Sequence, residues 1–336
     1  MPLSRIPAVV AILLLLLSQT SAFAADGKLT FFRIGSGPTS ETLYALAASI
    51  SAGISRPPGS APCNQGGVCG VPGLIAVAQS RSGSIENIFA MMSGELDSAL
   101  VRADVAFQAY HGRGPFRYEG AQSDLRVIAN LTPVQLHIAV RRDSDIKTVR
   151  DLRGKRLSVG ARGSGTRNFA LIVLRMHGLE ATDLHLSYLK PAQASDALVA
   201  DKLDAVLMLG AAPIEAVSEL SRQIPIRLLD LTDYPRRQLI SLYPFVDTTT
   251  IPSGTYPGVD TANTVKMNVQ WVVWRSAKEA LIRDITRALW LSDTRELFIR
   301  NNPEHDFPPL SGGVPRSGVP VHRGAMLYYR SAGVAR

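Results

Sequence analysis

Apolar residues in this chain fall into short continuous runs and helical stripes separated by glycine-rich turns. Lys28 to Ile34 is a strand candidate that ends in Gly35-Ser36-Gly37-Pro38-Thr39-Ser40. Beyond that turn, Leu43, Leu46, Ala47, Ile50 and Ile54 share one helical face. The same order returns at Lys155 to Val159, followed by Gly160-Ala161-Arg162-Gly163-Ser164-Gly165-Thr166 and a helical stripe of Phe169, Ile172, Val173 and Met176. Further helices follow Ser84, Pro191 and Pro213, and short apolar strands lie at Ser98 to Val101, Ala205 to Leu209 and Ile226 to Leu229. Short buried strands alternating with helices of this length predict an α/β protein with largely parallel sheets.

A strand from Leu136 to Val140 leads into Arg141 to Asp145, and a Pro/Gly/Thr-rich stretch from Tyr243 to Gly258 precedes a strand from Met267 to Trp274; these are the candidate crossings between two lobes. After the second, Ser276 and Glu279 form an S-x-x-E capping box for a helix with Leu281, Ile285, Ala288 and Leu289 as its buried stripe. A chain of this length exceeds what one core usually fills. The expected division is a first lobe of residues 25–140 plus 249–336, with a second lobe, residues 141–248, inserted in it. Gly94-Glu95-Leu96-Asp97 and Asp201-Lys202-Leu203-Asp204 occupy similar places before their strands, a parallel of architecture and not a sequence repeat.

The first 24 residues stand apart from this pattern. Arg5 precedes an apolar run from Ala8 to Leu17 that is too short to span a bilayer, and Ala22-Phe23-Ala24 follows in the pattern cut by signal peptidase. The expectation is export, with cleavage after Ala24; a retained anchor is the alternative. Removing this segment takes Arg5 and no acid, so the net charge falls from +8 to +7. The basic residues are scattered, without blocks or aromatic interleaving, so nucleic-acid binding has no support. Cys63 and Cys69 lie in a Gly/Pro-rich stretch, and in an exported protein they suggest a disulfide that pins the loop. Two thiols without a matching Cys/His pair do not make a metal site.

Both glycine turns precede helix N-termini, where unpaired amides and the positive dipole end favour an anion. Ser36, Thr39, Ser40, Ser164 and Thr166 add hydroxyls that could meet a carboxylate, although ordinary N-capping explains each one singly. The turn before Thr166 lacks the Lys-Ser/Thr of a P-loop, and Ser40 stands where a dinucleotide fingerprint needs its third glycine. No cofactor is implied. The six histidines show no diagnostic spacing, and neither a nucleophile elbow nor an H-E-x-x-H is present.

At these same segments the chain resembles the TAXI family, the solute receptors of tripartite ATP-independent periplasmic (TRAP) transporters. The pieces, in order, are Ile34-Gly35-Ser36-Gly37 with Tyr44, Gly83 to Asn87, Ser93 to Asp97, Gly154 to Gly160 running into Gly163 to Arg167, Gly210 to Pro213, Ile251 to Tyr256, and Pro320 to Ala325 with Tyr328-Tyr329. The resemblance implies a two-lobed periplasmic-binding-protein fold of type II and a monomer that takes a small carboxylate-bearing solute, an amino acid or dicarboxylate, to a TRAP permease. A sensor or scavenger on the same fold, or a periplasmic enzyme, are the other readings. Carried over, the cleft is lined by Ser36, Gly37, Thr39, Ser40, Tyr44, Ser84, Asn87, Ser164, Gly165, Thr166, Arg167, Ala212 and Pro213. The chain departs from the family at Ser40-Glu41-Thr42 and at Arg162. Arg162 is expected to reach a ligand carboxylate, and Glu41 to meet an ammonium.

Overall fold

The computed structural model describes residues 29–39, 42–162, 164–231, 233–301, 303, 307–314 and 318–335. The expected signal peptide, Ser40 and Glu41 lie outside them. Among the described residues no helix is long and apolar enough to cross a membrane.

Ten strands form one mixed sheet: β1 (Thr30–Gly35), β2 (Leu74–Gln79), β3 (Ser98–Arg102), β4 (Leu125–Arg141), β5 (Arg156–Ser158), β6 (His185–Ser187), β7 (Ala205–Gly210), β8 (Ile226–Leu228), β9 (Asp247–Ile251) and β10 (Ala262–Trp274). Their order, β2-β1-β3-β10-β4-β7-β5-β6, reads as two matching halves. In each half the first strand lies between two parallel partners: β1 between β2 and β3, and β5 between β6 and β7. A long antiparallel strand then flanks each, β10 beside β3 and β4 beside β7. The two long strands pair antiparallel with one another at the centre. The sheet is therefore parallel only within each half. β8 and β9 add to β4 and β10.

The halves share a local lock. Arg33 on β1 donates its amide to Asp97 Oδ2 at 2.8 Å and its guanidinium to both carboxylate oxygens, while the Asp97 amide returns to the Arg33 carbonyl. Arg156 on β5 and Asp204 repeat this arrangement, amide to Oδ2 at 2.7 Å and amide back to carbonyl. Burial alone would raise the Asp97 carboxyl, but the bonds from Arg33 hold it below its usual value. The guanidinium of Arg156 does the same for Asp204. The similar places of Gly94 to Asp97 and Asp201 to Asp204 thus have a common mechanical purpose, fixing the turn between a helix and the next strand.

Helices cover both faces: α1 (Thr42–Ile54), α2 (Ser84–Met92), α3 (Ala103–Tyr110), α4 (Gly165–Met176), α5 (Pro191–Val199), α6 (Glu215–Gln223), α7 (Asp233–Leu242), α8 (Glu279–Leu289), α9 (Ser292–Asn301) and α10 (Arg323–Ser331). On one face a single core runs through both halves, from Ile34, Leu46 and Ile50 past Trp271 and Ile138 to Leu157, Phe169 and Val173. Elsewhere the halves keep separate cores, one around Ile88, Val101 and Val272, the other around Leu198, Val206 and Tyr256. The α4 stripe is rotated from the expected one: Phe169, Ala170, Val173 and Leu174 are buried, and Ile172 and Met176 only half so.

The expected Ser276–Glu279 capping box does not form. Ala277 closes a turn on the Trp274 carbonyl, so α8 starts only at Glu279, with Lys278 before it and no side-chain cap. The Glu279 carboxylate pairs instead with Arg323 at 3.1 Å. Its buried stripe keeps Ile285, Ala288 and Leu289 but takes Ile282 in place of Leu281.

Beside β2, Ser55–Arg56 pairs with Val71–Pro72, and Ser55 Oγ accepts the Ala76 amide of β2 at 2.8 Å. Cys63 and Cys69 are joined in the loop between these two short segments, with their Cα atoms 4.8 Å apart.

On β4, the wholly buried His137 places Nδ1 3.1 Å from the Gln135 carbonyl and Nε2 2.9 Å from Tyr256 Oη. Burial pushes this imidazole down to about 4, against a smaller upward pull from the Gln135 carbonyl. Burial lowers His177 and His322 in the same sense. An unfolded histidine titrates near 6.5, so the unfolded chain takes up its proton first as the pH falls. Stability is therefore complete above about pH 6.5 and declines toward pH 4, by up to about 3 kcal/mol for His137. In urea unfolding at pH 7 and pH 4.5, the wild type should lose about 2 kcal/mol more than a His137→Gln variant.

Candidate functional site

The C-terminal end of β3 runs directly into a helix and those of β1 and β5 lead into helices through their glycine turns, and these junctions gather most of the residues singled out in the sequence. Ser36 is fully buried. Its amide and hydroxyl both donate to the Gln79 carbonyl, at 2.9 and 2.8 Å, and its carbonyl accepts from Asn87 Nδ2 at 3.0 Å. Asn87 spends its amide group on Ser36 and on the Leu100 carbonyl. Both residues therefore brace the floor of the first turn, tying β1, β2, α2 and β3 together, with the Asn87 Oδ1 atom buried and unpartnered. The Gly37 carbonyl accepts from the Arg81 amide at 3.4 Å, Thr39 is exposed, and Tyr44 is half-buried on the first turn of α1.

Ser84 opens α2, and its Oγ accepts the amide of Arg102 at 3.1 Å. Arg102, the last residue of β3, holds Asp104 with Nε to Oδ1 at 3.0 Å and Nη2 to Oδ2 at 2.7 Å. Its Nη1 then reaches Thr166 Oγ1 at 3.4 Å, in the other half. This contact brings Ser84, Gly165 and Thr166 into one place, and Arg102 is the residue that sequence reasoning missed. An arginine at a strand end reads as solvated; the signal was the acid two positions later, at the start of a helix.

In the second turn Gly160 takes a φ of +93°, and a Cβ there would stand 3.0 Å from both Ser164 Oγ and Thr166 Cβ, so the turn requires glycine. Ser164 caps α4 by accepting the Arg167 amide. Arg162 is exposed, and its guanidinium lies over the Tyr188 ring at 4.5 Å, with that of Arg167 5.3 Å from the same ring. Neither has an acidic partner among the described residues. The Arg102 guanidinium thus touches the first turn of α4, at the positive end of its dipole, while Arg162 from the turn before it and Arg167 from the first turn itself meet over Tyr188.

Ala212 and Pro213 are joined by a cis peptide bond. The Ala212 amide donates to Gln135 Oε1 at 3.0 Å, and the Ile214 amide to Tyr256 Oη at 2.8 Å, which links this loop to His137. Among the described residues no hydrogen bond joins it to the α4 turn. Burial raises the Tyr256 phenol well above its ordinary value, so the network stays neutral there as well. Among the described residues no group of three His, Cys, Asp or Glu could hold a metal ion.

This architecture is shared with solved solute-binding proteins. PhnD1 of Prochlorococcus marinus, solved in complex with methylphosphonate, superposes with a TM-score of 0.53 at 9% identity over 90% of this chain and 98% of that one. A TctC solute binding protein from Polaromonas gives 0.50 at 13% identity over the same shares. The fold is that of a two-lobed periplasmic binding protein. Residues 34–333 match the NMT1-like family, and the chain belongs to that family. A 68-residue stretch is also 41% identical to a putative aliphatic sulfonates-binding protein of Escherichia coli strain K12. That match covers 20% of this chain and about a fifth, 21%, of the length of that relative.

Removing the Tyr256 hydroxyl should loosen the 211–214 loop from behind. Tyr256→Phe strands the Ile214 amide and His137 Nε2, and thermal unfolding should report a loss of about 1–3 kcal/mol.

Proposed function

We propose that this chain is a periplasmic solute-binding protein that holds a small organic acid between its two lobes and hands it to a membrane permease. The observation that carries this is the set of three arginines that come from or reach the second glycine turn and the start of α4, two of them without an acidic counterpart among the described residues. Like charges gathered at a positive helix end call for an anion. Membership of the NMT1-like family and the two-lobed fold support the capture of a solute over catalysis. The buried histidines suit structural work: His137 sits in the Tyr256 network, and His322 caps α10 by accepting the Gly324 amide.

The acid group we read as a carboxylate, on an amino acid or dicarboxylate, and the permease as one of the TRAP type, both from the resemblance to TAXI receptors. The partly matching Escherichia coli protein is a putative aliphatic sulfonates-binding protein and PhnD1 was solved with methylphosphonate, so a sulfonate is the competing acid. Serine and threonine hydroxyls with guanidiniums serve either oxyanion, and the organic tail would decide.

We propose the lobe division suggested by the sequence, residues 25–140 with 249–336 against residues 141–248, with the return crossing carried into β10. Ile251, Tyr256, Val259 and Ala262 support the later crossing, since they pack with Leu198 and Val206. Closure would then flex β4 and β10 together, and binding would select the closed arrangement.

A thermal-shift screen of amino acids, dicarboxylates and alkanesulfonates, followed by calorimetry, tests the reading. At least one acid should raise the melting temperature and bind in a 1:1 ratio, and small-angle scattering should show a smaller radius of gyration with it. Binding without compaction would count against capture between lobes.

A further inference from the structure

Arg102 is an enclosed cation of the site, with 11% of its side chain exposed and a wholly buried carboxylate, Asp104, fixing its orientation. It belongs to the first lobe, yet its Nη1 meets Thr166 of the second at 3.4 Å. A methyl group on Gly165 would stand 2.4 Å from its Nη2. Alanine is the better helix former at that position, so the missing methyl is room kept for the guanidinium. A positive group pressed against the positive end of α4 is unfavourable by itself. Asp104 offsets part of that charge through Nε and Nη2, which leaves Nη1 facing the other lobe.

We propose that Arg102 is the residue that reads the charge of the ligand and couples it to closure. An oxyanion at the first turn of α4 takes Nη1 of Arg102 from one lobe and the hydroxyls of Ser164 and Thr166 from the other. The like-sign contact between the lobes then becomes an attraction. This rests on the acid-binding function proposed above and adds the group that discriminates an acid from its neutral analogue.

The test is calorimetry on the full chain with succinate, L-glutamate and ethanesulfonate, and with succinamide, the neutral diamide of succinate. Arg102→Gln combined with Asp104→Asn keeps a neutral hydrogen-bonded pair where the ion pair stood, since the first change alone strands a buried carboxylate. The double variant should lose roughly 100-fold in affinity for whichever acid binds the wild type, and the preference for succinate over succinamide should shrink with it. Gly165→Ala should melt no lower than wild type yet bind that acid about 10-fold more weakly. Should the double variant fail to fold, Arg102→Lys keeps the charge beside Asp104 but lacks the fork, and about a 10-fold loss is expected. Undiminished acid binding and selectivity in these variants would overturn the role of Arg102 while leaving the acid-binding function standing. If none of the acids binds the wild type, both fall together.

Discussion

The antiparallel pairing of β4 with β10 is the constraint on which the rest of the molecule hangs. These strands, 17 and 13 residues long, are matched from Lys266 opposite Gln135 to Trp274 opposite Leu125. Polar groups sealed inside fix that register. Gln270 Nε2 donates to Asn130 Oδ1 at 2.9 Å and Thr264 Oγ1 to the Leu136 carbonyl at 2.7 Å, while Trp271 Nε1 ties β10 to Ser98 Oγ of β3 at 3.0 Å. A slip of one residue between β4 and β10 would invert every side chain and break the first two bonds. Register shifts between Asn268 and Gln270 and between Trp271 and Val272 bend the pair, as bulges do.

Local order was readable because its causes are local. A strand, a glycine turn and a helical stripe each sit within a few residues, and β1, β5, α1 and α4 begin within two residues of the positions their patterns indicate. The long central strands were only half visible. Asn130, Thr132, Gln135, Asn268 and Gln270 interrupt the apolar runs and look like breaks, but partners elsewhere in the fold satisfy several of them. No single stretch of sequence reveals a bond made to residues far along the chain. Arg102 was legible only in part: Asp104 two positions on signals a paired cation, but its contact with Thr166 lies 64 positions away.

The site residues divide by what their polar atoms are already doing. Ser36 and Asn87 carry the right chemistry for a ligand but spend their donors on carbonyls of the framework, so their contribution is to hold the first turn in shape. Arg162 and Arg167 rest on an aromatic ring and keep their charge uncommitted. The same residue types at the same turns can thus be scaffold or contact, and only the hydrogen-bond ledger separates them.

The segment closed by Cys63 and Cys69 has a consequence for solubility. β2 ends one side of the sheet, and its sequence, LIAVAQ, is the apolar kind that recruits other chains edge to edge. Ser55 occupies one outward amide of that border, and the crosslinked loop beginning there returns to pair Val71 in parallel beside Ser55. The bridge, modest as a global stabiliser, serves as a fender: in an oxidising compartment it guards the open margin against stacking with its neighbours.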